Sequence, residues 1–275
     1  MKFIIFFLSL SLVSSLVYSE SAQVKFVRGE ATMMAPGMMK GKKIKKGDLL
    51  PKDSSVVTKA KTFVRIVFPD KSSMSIGPKS MVVIKRAPKK KANMVNLLTG
   101  LIKAEVKKNS DKNTKTKMII KTRTAIMGVR GTKFQSTYNP TNKSTSLVTV
   151  EGNVAMVKVE NKVPSKTVKL ADQSKELSEN LDKVDAVFEG SDVVEVSAGR
   201  YSGVVSAVDK PTVPVKIAPK QYNAIARSMG SKNLAKDVMK PTKSDLAPEG
   251  FENKTTGQLA PRAGGFVDFT SSTYC

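Results

Sequence analysis

From Val24 to Val159 the chain runs in short stretches rich in Val, Ile, Phe and Thr, each alternating apolar with polar residues and each ended by Gly, Pro, Asn or Asp. A period of two puts successive side chains on opposite faces of an extended strand, so each stretch offers one apolar face that must be covered. In Thr62-Phe63-Val64-Arg65-Ile66-Val67-Phe68, for example, Val64, Ile66 and Phe68 share a face, and Met74 and Ile76 answer them across the Pro69-Asp70-Lys71-Ser72 turn. Many short strands at this spacing predict a mainly β fold, a compact antiparallel β sandwich or barrel-like domain. Further strands are expected at Met81–Ile84, Met94–Leu98, Leu101–Val106, Met118–Lys121, Lys133–Tyr138, Leu147–Val150 and Val154–Val159.

The rest divides by composition. Residues 1–19 combine Lys2 with an apolar run from Phe3 to Val17 and small residues before Glu20, the layout of a cleaved signal peptide that is short for a membrane span. The β domain is assigned to 20–160, a charged, aromatic-poor linker to 161–187, a short β segment plus helix to 188–239, and a flexible tail to 240–275. Pro219 sits where a helix would begin and Gly230 where it would stop, with Tyr222, Ile225, Ala226 and Met229 on one face. That face predicts a helix docked on the β domain, or one that binds a partner. In the tail, Phe266-Val267-Asp268-Phe269 offers a strand for an open edge. The single cysteine is Cys275, the last residue, so an internal disulfide is impossible; it reads as an exposed tail residue or an intermolecular bridge.

One stretch is distinctive: Thr122-Arg123-Thr124-Ala125-Ile126-Met127-Gly128-Val129-Arg130-Gly131-Thr132. Gly128 and Gly131 are expected to bracket a tight reversal with positive φ, and Arg130 to clamp the loop or to contact an anion. Ahead of it stand Gly47-Asp48-Leu49 and Val56-Val57-Thr58; behind it, Val148-Thr149-Val150-Glu151-Gly152-Asn153-Val154 and Val196-Ser197-Ala198-Gly199. Together these landmarks resemble the FecR-domain family of bacterial envelope proteins, well over residues 24–160 and weakly over 190–217. Gly128, Val129, Arg130, Gly131 and Thr132 match its signature intact; Arg123 stands where the family has proline, and Lys71 where its hairpin turn has glycine. The resemblance implies a FecR-like β domain. The best-known members relay receptor occupancy to a cytoplasmic sigma factor through a cytoplasmic helical domain and a membrane span. With the apolar segment beginning at Phe3, the chain is expected to be a standalone exported member lacking that anti-sigma domain.

Charge and missing chemistry bound the function. Lys+Arg 47 against Asp+Glu 23 gives a net charge of +24, concentrated in the first half, and such a field favours anionic partners. Exposed polar loops at Lys89, Lys90 and Lys91 and at Lys107 and Lys108 are the expected basic surface. With no histidine and no tryptophan, imidazole metal sites and Ser/His/Asp or Cys/His nucleophiles are excluded. Asp48, Asp53, Asp70, Glu105 and Glu151 read as turn caps or lysine partners. No catalytic, cofactor or metal site is therefore expected. Export and phenylalanines placed at core-like strand positions argue against nucleic acid. The expected role is a non-enzymatic binding or scaffold module, periplasmic or secreted, holding an anionic envelope polymer or an outer- or inner-membrane protein. An accessory sensor in a cell-surface signalling pathway is the alternative.

Overall fold

The computed structural model describes residues 21–85, 92–108, 116–159, 188, 190, 192–207, 210–232 and 235–238. The leader, Lys89, Lys90 and Lys91, the linker at 161–187 and the tail with Cys275 and the Phe266 to Phe269 run lie outside the described residues.

The chain folds as β1 (Ala22–Arg28), β2 (Ala31–Met34), β3 (Lys42–Lys43), β4 (Leu49–Leu50), β5 (Ser54–Thr58), β6 (Phe63–Val67), β7 (Ser73–Ile76), β8 (Met81–Lys85) and β9 (Asn93–Glu105). There follow β10 (Met118–Lys121), β11 (Ala125–Val129), β12 (Lys133–Asn139), β13 (Ser144–Glu151), β14 (Asn153–Lys158), β15 (Val194–Ser197), β16 (Arg200–Val205) and β17 (Val215–Lys216), then helices α1 (Pro219–Ser228) and α2 (Ala235–Val238).

Two layers result. One runs β4-β1-β6-β7-β9-β12-β13-β16-β17 and the other β3-β2-β5-β8-β9-β10-β11-β14-β15. Pairing is antiparallel except between β9 and β10, which run parallel. Because β9 belongs to both layers, the hydrogen-bond ladder is continuous, yet it does not close on itself. The sandwich is thus observed, and the closed barrel is not.

Alternation explains the packing. The inward residues of both layers, among them Val24, Ile66, Met74, Ile102 and Phe134 from one and Val56, Val82, Leu97, Ile120 and Met127 from the other, form a single buried cluster. Strands that read as two in the sequence, Met94–Leu98 and Leu101–Val106, are one: β9 bends at Gly100 (φ 93), pairing through Thr99 with Met81 in one layer and through Gly100 with Tyr138 in the other. In the β6–β7 turn Lys71 keeps a positive φ of 65, so lysine adopts the left-handed conformation that glycine usually supplies. Asp70 steadies that turn by accepting bonds from the Ser72 N–H at 3.1 Å and its hydroxyl at 2.8 Å.

β15 pairs with β14 and β16 with β13, so residues 194–205 extend the same two layers. α1 packs over β13: Tyr222 and Ala226 are buried with Val150, and Ile225 and Met229 lie beside them, as the predicted apolar face requires. The Tyr222 hydroxyl donates to the Val150 carbonyl at 2.8 Å. Tyr222→Phe removes one buried neutral hydrogen bond and keeps the ring. It should therefore lower stability by about 1 kcal/mol in chemical denaturation, with the helix itself retained by circular dichroism.

Candidate functional site

The signature lies where the chain changes layers. Ala125 to Val129 form β11, buried along its whole length between β10 and β14, whereas Lys133 opens β12 in the opposite layer. The corner between them is Arg130-Gly131-Thr132. Gly131 has φ 81, and a Cβ there would lie 2.3 Å from Lys108 Cγ and 3.0 Å from its Cα. Gly128 does not share this role. It is an extended residue of β11, and its missing side chain makes room for the Phe188 ring, whose Cε2 would stand 2.7 Å from a Cβ. The bracketed reversal expected from the sequence is therefore corrected: one glycine turns the corner and the other admits an aromatic ring.

Val129 is buried and its carbonyl accepts the Lys117 N–H at 3.0 Å; the Thr132 carbonyl accepts that of Val106 at 2.9 Å. Arg130 is exposed at the corner. There it lines a cleft of about 580 Å³ with Lys108, Thr116, Asn153, Phe188 and Glu195. Glu195 accepts a hydrogen bond from Asn153 Nδ2 at 2.6 Å. The cleft thus sets the Arg130 and Lys108 cations beside the Phe188 ring, with the Glu195 carboxylate in the same lining.

The lysines around 103–121 are much less available than their number suggests. Lys107 is 2.6 Å from Glu105, Lys117 3.7 Å from Asp70, and Lys133 3.1 Å from Glu151. Burial holds the Lys103 ammonium below the usual lysine range, and Lys103 donates to Ser228 Oγ at 2.7 Å under the end of α1. Burial, reinforced by Lys85, does the same to Lys121. Of the two described residues expected as basic surface, Lys107 is paired and Lys108 faces the cleft.

A second basic surface was not foreseen. Between Val24 and Phe26 the β1–β6 register slips by one residue, so Lys25 is a bulge that reverses the parity of the strand. Val24 points inward, and beyond the bulge Phe26 and Arg28 point out. Phe26 sits opposite Arg65 and Arg28 opposite Phe63, with Phe26 52 % and Phe63 40 % exposed. Opposed residues on an antiparallel pair share a face about 5 Å apart. The result is a checkerboard of two rings and two guanidinium groups, with Lys25 at its edge. The core placement expected for the phenylalanines holds for Phe68 and Phe134 and fails for Phe26 and Phe63. The signal was present for Phe63, which falls opposite Val64 and Ile66 in the alternation; for Phe26 the bulge hid it.

Among the described residues no group of three His, Cys, Asp or Glu side chains is placed to hold a metal ion. Nor is any described helix long and apolar enough to cross a membrane.

Residues 54–155, from β5 into β14 and including the signature corner, match the family model described as FecR protein. No curated protein matches. Two crystal structures of a candidate anti-sigma factor from Parabacteroides distasonis are similar at TM-scores of 0.43 and 0.41 and identities of 11% and 12%. Each covers 64% of this chain, which in turn spans 64% and 65% of theirs, a little under two thirds. With the signature intact at the corner between layers, it is over residues 54–155 that the chain matches the FecR family.

Proposed function

We propose that the protein is an exported, non-enzymatic binding module that grips an anionic polymer of the bacterial envelope through the outer face of β1 and β6. The observation that carries this reading is the Phe26, Arg28, Phe63 and Arg65 checkerboard. Flat rings stack on the apolar faces of sugar units, and guanidinium groups pair with carboxylate or phosphate between them. FecR-domain proteins are envelope-associated, and the peptidoglycan carboxylates and lipopolysaccharide phosphates found there supply both features. A single-stranded nucleic acid would use the same chemistry, so it belongs in the assay as a competitor.

Full-length protein sedimented with purified peptidoglycan sacculi at about 50 and 300 mM salt is the test, with weaker binding expected at the higher salt. Each ring is about half exposed, so Phe26→Ala with Phe63→Ala should lose roughly 1.5–3 kcal/mol of contact, a tenfold to hundredfold drop in affinity. Arg28→Gln with Arg65→Gln should flatten the salt dependence. Equal sedimentation of wild type and both variants, or preference for a single-stranded oligonucleotide over sacculi, would remove the reading.

The FecR domain itself favours a second role, in cell-surface signalling, as an accessory sensor that engages a membrane protein. A solubilised-membrane pull-down that the Arg130→Ala variant fails to reproduce would support it, since Arg130 lines the signature cleft.

A further inference from the structure

The β2–β3 hairpin carries its apolar residues at the wrong end for a core. Its base is anchored: Met33 and Ile44 are buried, and the Ile44 N–H donates to the Ala31 carbonyl at 2.9 Å. Its tip is turned by Ala35-Pro36-Gly37-Met38, with Gly37 at φ 79 and the Met38 N–H donating to the Ala35 carbonyl at 3.1 Å, the arrangement of a type II turn. That turn throws the methionines outward: Met34 is 44 %, Met38 40 % and Met39 97 % exposed.

Behind the tip comes charge. Lys40, Lys42, Lys43, Lys45 and Lys46 are all exposed. Among the described residues only Lys42 of this group reaches a carboxylate, that of Asp48 at 3.9 Å. Asp48 immediately precedes β4, where Leu49 is 47 % exposed.

We infer that this tip is a membrane-contact element that inserts its methionines into the surface of an anionic phospholipid bilayer while the lysines behind it meet the head groups. The shape selects the partner. A convex tip of unbranched, flexible side chains has no groove to receive a peptide, whereas a lipid surface yields around it. Apolar residues at the apex with cations one step back match the depth profile of a bilayer interface, and each lysine near an anionic surface contributes about a fivefold gain in partitioning. This surface is separate from the β1–β6 face and stands whether or not that face binds a wall polymer.

The test is flotation of the full chain with vesicles of phosphatidylglycerol and phosphatidylcholine, against pure phosphatidylcholine, at about 50 and 300 mM salt. The protein should float with the anionic vesicles, less so at high salt, and not with the neutral ones. Met38→Glu with Met39→Glu should cut binding at least tenfold with an unchanged unfolding midpoint and unchanged sedimentation with sacculi. Because the chain has no tryptophan, Met39→Trp introduces a single reporter, whose emission should shift to the blue with anionic vesicles and be quenched by brominated lipid. Bound protein with unshifted emission, or equal binding by the glutamate variant, would overturn the inference. So would a dimer in vesicle-free solution that the glutamate variant dissolves, since a second copy would then cover the tip.

Discussion

Gly100→Ala is expected to destabilise the protein by roughly 2–5 kcal/mol, a large share of the 5–15 kcal/mol typical of a folded domain. Two effects add at this position. Gly100 holds φ at 93, outside the range that an L side chain adopts easily, for about 1–2 kcal/mol. The added Cβ would also meet the Cα and Cβ of Ser80 at 2.6 Å and its Oγ at 2.1 Å. That neighbour cannot swing away. Ser80 Oγ accepts the Leu101 N–H at 3.0 Å, and its own N–H donates to Thr58 Oγ1 at 2.9 Å, so the β7–β8 connection is tied to the bend of β9.

Gly37→Ala is the control, because Gly37 has φ 79 and nothing within 4 Å of the new Cβ. It should show the backbone strain alone, about 1–2 kcal/mol. Equilibrium denaturation of both variants separates the terms. If Gly100→Ala loses no more stability than Gly37→Ala, the close stacking of the two layer crossings at Ser80 is wrong.

That bend also shows where reading a sequence in windows stops working. Alternation located the inward faces of β6 and β7, and helical spacing located the face of α1, because in each case one local period suffices. Thr99-Gly100 looks like a turn between two strands, and only the pairing of Thr99 with one layer and Gly100 with the other shows a single strand passing through a corner. Phe26 fails for a related reason. Its parity relative to Val24 is set by the bulge at Lys25, and a bulge is a property of two strands in register. At the signature, the glycine pattern was visible while the difference between Gly128 and Gly131 was not, because Phe188 reaches Gly128 from far along the chain. Charge density was legible but its availability was not. Lysine density marks both Lys40 to Lys46 and Lys103 to Lys121, yet among the described residues carboxylates and burial absorb most of the second cluster, whereas in the first only Lys42 lies within ion-pair distance of a carboxylate.

The second large effect concerns the step that precedes the signature. Thr145→Val should destabilise the protein by about 2–4 kcal/mol although it preserves the shape of the side chain. Thr145, on β13, is 1% exposed, and its hydroxyl lies 2.6 Å from Thr122 Oγ1 and 2.6 Å from Thr124 Oγ1 in the opposite layer. Thr122 has other partners, since its Oγ1 accepts the Ala125 N–H at 2.9 Å and the Thr124 N–H at 3.2 Å. Thr124 depends on Thr145, so valine leaves a buried hydroxyl stranded. The turn is thus built by threonine hydroxyls, and Arg123, exposed between them, can replace the family's proline without disturbing it. Thr145→Ser should retain most of the stability. Thr124→Val combined with Thr145→Val should recover part of the loss, because removing both partners avoids the stranded group. A Thr145→Val variant within about 0.5 kcal/mol of wild type, or a double variant worse than the sum of the singles, would mean that this hydroxyl bridge does not join the layers ahead of the signature.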